Sequence, residues 1–224
     1  MGQFNWEKSY PPGIDWNFEI KSRPAYQVLD EAVAKYGSQD MLDFMGKTLT
    51  YSEVGAMVEK AAAGFQNLGV GPGVRVGLFL PNTPHYIISF FGILKAGGIV
   101  VNYSPLDAVE TLKHKARDSG TDIIVTLNLK ALYDPISRVL EETEVTRLVI
   151  GNLPEMLPFP KSLLFPIVKR SEIAKIPDDG RHIPFSEIVN TNGKYLKRKI
   201  ENPDDEVAVL QYTGGTTGLA KGAM

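Results

Sequence analysis

Cysteine is absent from all 224 residues, so no disulfide framework, thiolate metal site or cysteine nucleophile can be built. Such a composition suits a reducing compartment. Histidine is scarce too: His85, His114 and His182 have no metal-ligand spacing between them and are read as structural or exposed. Neither sign of charge prevails. Twenty-four Lys and Arg against 26 Asp and Glu leave a net charge of −2, which provides no global field for a nucleic acid. Long hydrophobic runs are also missing, since the longest, 86–94, stops at Lys95, well short of the roughly 20 residues a membrane span needs. The opening Met1-Gly-Gln-Phe-Asn-Trp6 lacks the basic and apolar regions of a signal sequence, and Trp6 stands where a myristoylation motif has Ser or Thr. With no Gly-x-Ser-x-Gly elbow, an ester hydrolase is disfavoured. A cytoplasmic protein is expected, soluble or peripheral on the inner face of a membrane.

With 43% hydrophobic residues, a chain of this length can bury about 70% of its unfolded surface. Its elements alternate. Ser22 and Pro24 read as the start of a helix that runs to Tyr36, and 41–44 and 47–51 as two short strands around Gly46. Ser52 reads as the cap of a helix whose Val54, Met57, Val58, Ala61, Ala62, Phe65 and Leu68 form one apolar face, expected to pack on a sheet. Further strands are expected near 74–80, 99–101, 122–126 and 147–150, with an interior helix from Thr83 and Pro84 and others at 107–118 and 129–142. Strands separated by helices imply right-handed crossovers, hence an α/β fold with a mostly parallel sheet and helices on both faces. Gly69-Val-Gly-Pro-Gly73 joins a helix to the next strand, so it reads as a turn on the edge opposite the ligand-binding one.

The sharpest chemical signal is the string Tyr212-Thr-Gly-Gly-Thr-Thr-Gly-Leu-Ala-Lys-Gly222, fed by the apolar strand at 206–211. Gly214, Gly215 and Gly218 let backbone N–H groups approach an anion, Thr213, Thr216 and Thr217 add hydroxyl donors, and Lys221 adds a mobile positive charge. That combination suits phosphate. A flexible surface loop has the same composition, but the strand before it places the string at a strand's carboxyl end, where such sheets bind ligands. It is not a Walker loop, because Ala220 precedes the lysine and Gly222 follows it.

The string resembles the phosphate loop of the adenylate-forming enzymes (acyl-CoA synthetases, luciferases and adenylation domains), usually Tyr-Thr-Ser-Gly-Thr-Thr-Gly-x-Pro-Lys-Gly. Gly214 and Ala220 depart from that form and look like the long-chain fatty-acid–CoA ligase branch, particularly its bacterial members. The blocks 93–106 and 49–53 are similar to other parts of the superfamily, so the resemblance runs from about residue 22 to the end. It implies an AMP-forming acid–thiol ligase that uses ATP, Mg2+ and coenzyme A on a long-chain fatty acid. Tyr212, Thr213, Gly214, Gly215, Thr216, Thr217, Gly218, Lys221 and Gly222 would contact nucleotide phosphates, with Lys221 and Thr216 positioning them for reaction. Family members continue far beyond the loop, with later motifs for adenine, ribose, Mg2+ and a catalytic lysine. The chain is therefore expected to be an amino-terminal part, inactive alone. The alternatives are a non-catalytic module or nucleotide-binding half needing a complementing partner, or a ligase for another carboxylic acid.

Four stretches follow: an extension at 1–21, an α/β subdomain at 22–152, a Pro-rich apolar and basic excursion with linker at 153–202, and a strand with the phosphate loop at 203–224. Prolines at 154, 158, 160 and 166 preclude one long helix in the excursion. It reads as a segment packed on the core; the other reading is an amphipathic patch, 153–177, touching a membrane through Lys161, Lys169, Arg170 and Lys175. The sheet is expected to end at the strand before the loop, leaving an unpaired edge that favours self-association.

Overall fold

The structure, a computed structural model, describes residues 4–13, 18–19, 21–213 and 220–224. Helix α1 (Gln27–Tyr36) begins later than its sequence suggests, because residues 24–26 form a turn closed by Gln27 N–H donating to the Pro24 carbonyl. Ser22 is drawn elsewhere. Its hydroxyl donates to the Asp204 carboxylate at 2.6 Å, so it cannot cap the helix. A small antiparallel hairpin follows, β1 (Asp40–Phe44) and β2 (Lys47–Thr50), turned by Met45 and Gly46 with φ of 57° and 95°.

Helix α2 (Tyr51–Asn67) is capped by Thr50 rather than Ser52. The Thr50 hydroxyl accepts from Glu53 N–H at 3.2 Å, and the Glu53 carboxylate accepts from Thr50 N–H at 2.7 Å. This reciprocal pair requires the Thr-x-x-Glu spacing, which Ser52 does not have. The helix lies closely against α3 (Pro84–Ala96) and α7 (Phe185–Val189), with Val54, Val58, Ala61 and Phe65 of its apolar face fully buried. Small residues explain this. A Cβ on Gly64 would stand 2.2 Å from the Ile188 carbonyl oxygen, and one on Gly92 would stand 2.8 Å from Ala61 Cβ.

The main sheet takes β3 (Arg75–Leu78), β4 (Ile99–Asn102), β5 (Ile123–Leu127), β6 (Arg147–Gly151), β7 (His182–Pro184), β8 (Val209–Thr213) and β9 (Lys221–Ala223), in the order β7-β6-β5-β3-β4-β8-β9. All neighbours are parallel except β9, which runs antiparallel to β8. Helix α3 joins β3 to β4; α4 (Val109–Ser119) then carries the chain back across β3 to β5, and α5 (Lys130–Glu142) continues to β6. Because that second crossover reverses direction, right-handed connections put α3 on one face and α4 and α5 on the other. Between the layers, Val76, Leu78, Val100, Val101, Ile124, Val125, Leu148 and Val149 are fully buried.

Two expectations change here. The sheet does not end at β8: the lysine end of the glycine-rich string returns as β9, three exposed residues paired with β8. The excursion divides. Leu153, Met156 and Leu157 are buried, as a packed segment requires, while α6 (Lys161–Val168) buries none of its residues.

Candidate functional site

Parallel pairing brings three strands to a common carboxyl edge: Leu78 opposes Asn102, and Asn102 opposes Gln211. Polar side chains continue the alignment. The Tyr86 hydroxyl donates to Asn102 Oδ1 at 3.0 Å, and Asn102 Nδ2 donates to Gln211 Oε1 at 2.9 Å. Burial pushes the Tyr86 phenol above its usual range, and its bond to Asn102 partly opposes this. At neutral pH the group is a neutral donor.

One residue beyond Gln211, strand alternation turns Tyr212 inward while Thr213 stays exposed. The Tyr212 hydroxyl donates to Asp118 Oδ2 on α4 at 2.5 Å, and Lys115 Nζ lies 5.4 Å from the ring centroid. Burial, and then Asp118, push this phenol well above the usual range. Across the hairpin, a Cβ on Gly222 would stand 3.3 Å from the Tyr212 ring, so its absence lets the two stems close. His114 Nε2 lies 3.2 Å from the Ala220 carbonyl and is the donor in that bond.

The structure brings together four of the residues expected at a phosphate site. Tyr212 faces Gly222, and Thr213 faces the exposed Lys221. Gly214, Gly215, Thr216, Thr217 and Gly218 lie outside the described residues. Among the described residues no group of three or more His, Cys, Asp or Glu could hold a metal ion.

The lysines on either side of His114 do not face solvent. Lys113 is buried between Glu110 and Glu142, and Lys115 is buried against Asp107 at 2.5 Å. Opposite charges near each ammonium make this burial tolerable. His85 and His182 both turn inward. His85 is fully buried edge-on to Phe185, and His182 bonds Asp179 at 2.8 Å and Tyr133 at 3.0 Å. Asn102 lies in the block 93–106 and Gln211 in the strand 206–211, though neither stood out within them; the signal for Asp118 is that it shares a helical face with His114, four residues earlier.

A mostly parallel sheet whose strand β8 leads into a glycine–threonine string closed by lysine defines an α/β protein of the adenylate-forming type. The chain belongs to the AMP-binding enzyme family, whose model matches residues 29–224. It is 33% identical over 234 residues to a long-chain-fatty-acid–CoA ligase of Bacillus subtilis strain 168, a match that takes in 100% of this chain and 40% of that protein. A ligase of the same name from Escherichia coli O157:H7 is 31% identical over 225 residues, 98% of this chain and 39% of the other. Among solved structures, a long-chain-fatty-acid–CoA ligase from Archaeoglobus fulgidus superposes with a TM-score of 0.67 at 21% identity, taking in 92% of this chain and 37% of that one. The chain thus spans about two fifths of the length of these curated relatives.

Proposed function

We propose that this chain is the phosphate-gripping, amino-terminal part of an AMP-forming long-chain fatty-acid–CoA ligase. In that reaction a fatty-acid carboxylate attacks the α-phosphorus of ATP, pyrophosphate leaves, and the thiol of coenzyme A then displaces AMP from the acyl-adenylate. Lys221 and Thr216 position the leaving phosphates, Thr213 and Thr217 add hydroxyl donors, and N–H groups of the glycines neutralise growing charge. Mg2+ would reach the site bound to the nucleotide phosphates. The observation that carries this reading is the pairing of Thr213 with Lys221, which sets a hydroxyl and an ammonium side by side at the carboxyl end of the sheet.

Isothermal titration with MgATP tests it. One charge-assisted bond contributes roughly 1.5–3 kcal/mol, so Lys221→Ala should weaken binding about tenfold to a hundredfold. Equal affinity in the two proteins would contradict the assignment, and no binding by either would favour a non-catalytic module.

A second reading concerns α6. Leu163, Leu164, Ile167 and Val168 fall on one helical arc of about 140°, all exposed, with Phe159 beside them 80% exposed. Across 158–177, four basic residues face a single acid, Glu172, although the chain as a whole is slightly negative. Under the end of the helix, Lys130, Arg170 and Lys175 line a cleft of about 570 Å³. An apolar face above a basic cleft suits an anionic lipid surface. Flotation with anionic liposomes should be lost on combining Lys169→Glu with Arg170→Glu; unchanged flotation removes this reading.

A further inference from the structure

The hairpin at the sheet's edge has a third support besides its two strands. On α4, His114, Lys115 and Asp118 lie on one face, since residues four apart are neighbours on a helix. That face meets both stems of the hairpin close to its tip. Asp118 accepts from the hydroxyl of Tyr212, the second-last residue of β8, and His114 donates to the carbonyl of Ala220, the residue before β9. Lys115 covers the Tyr212 ring and is itself tied to Asp107, in the segment that leaves β4. Gly222 closes on the same ring from the opposite strand.

Two features separate this arrangement from ordinary core packing. The polar contacts join α4 to the stems at residues 212 and 220, while the apolar part of β8 lower in the sheet, Val209 and Leu210, is only half-buried. A phenol donating to a carboxylate at 2.5 Å is also a strong, directional contact that fixes position more tightly than apolar contact does.

We propose that α4 is the positioning element of the phosphate hairpin, with Asp118 and His114 holding its two stems at a fixed separation and orientation. The inference rests on the nucleotide reading above. Without the clamp, Lys221 depends on the pairing of a three-residue exposed edge strand, and nucleotide binding must then bear more of the cost of ordering it. With it, the ammonium and the Thr213 hydroxyl are set in place before the ligand arrives.

The test uses the full chain with Asp118→Ala, Tyr212→Phe and the double substitution. Hydrogen exchange without nucleotide reads the clamp alone, and MgATP affinity reads its purpose. Each single substitution should speed exchange at 209–213 and 221–224 about tenfold, leave β3 and β5 protected, and weaken MgATP three- to tenfold. The double variant should be no worse than either single one, because both remove the same bond. Unchanged exchange, additive losses, or faster exchange at unaltered affinity would each overturn the proposal. If the unsubstituted chain gives no MgATP signal, the nucleotide reading itself fails and takes the positioning role with it.

Discussion

Lys95 on α3 meets Glu59 on α2 at 2.5 Å with only 3% of the lysine side chain open to solvent. Asp30 on α1 contacts the same ammonium, so three helices converge on one charge. Burial alone would lower this lysine's pKa, but hydrogen bonds to Asp30 and Glu59 outweigh it and hold the value above the usual range. Removing both carboxylates with Asp30→Asn and Glu59→Gln should therefore cost about 3–5 kcal/mol, because a buried cation is left unpaired. Lys95→Met should cost much less, since both carboxylates can turn to water. Denaturant unfolding of the two proteins checks the order, and a larger loss from Lys95→Met would contradict it.

His85 predicts an acid limb to stability. Burial depresses its pKa to about 4, while the unfolded chain titrates near 6.5. Between those values the unfolded state binds the extra proton, so stability falls as pH drops, by at most about 3 kcal/mol. Above pH 6.5 this group contributes no slope. In His85→Leu the acid limb should flatten between pH 6.5 and 4; unfolding midpoints across that range that still fall as steeply would assign the limb to other groups.

Gly64 and Gly71 should respond in opposite ways to alanine. At Gly64 the new Cβ meets the Ile188 carbonyl oxygen at 2.2 Å, and the backbone of α7 must move to relieve it. A loss of about 2–3 kcal/mol is expected. At Gly71 nothing lies within 4 Å, so alanine should be neutral or slightly stabilising through the unfolded chain. Thermal unfolding of the pair distinguishes the cases, and similar midpoints would show that α2 and α7 are not locked together.

Most of the alternation was legible because each crossover helix and strand carries its own pattern. The ends of β4, β5 and β6 fall within a residue or two of expectation, and α3 starts at Thr83 and Pro84 as expected, with Pro84 in the first turn, although the Thr83 hydroxyl makes no capping bond. What escaped was relational. Nothing local tells that Ser22 is taken by Asp204, or that Gly64 of α2 sits against Ile188 of α7, since those facts depend on residues over a hundred positions away. The return strand β9 hid inside the phosphate string, where Lys221-Gly-Ala223 has too little β propensity to stand out. At the candidate site the string marked its own stems, whereas Asp118 and His114 sit in a helix whose charges looked like ordinary surface.

The pairing of Asn102 with Gln211 spans 109 positions. Strands β3, β4, β5 and β6 can assemble through nearby crossovers, but β8 must wait until the long excursion has been laid down and its loop-closure entropy met. The β8–β9 hairpin should accordingly dock after β3 to β6 as the chain leaves the ribosome, and be lost before them when folding is interrupted.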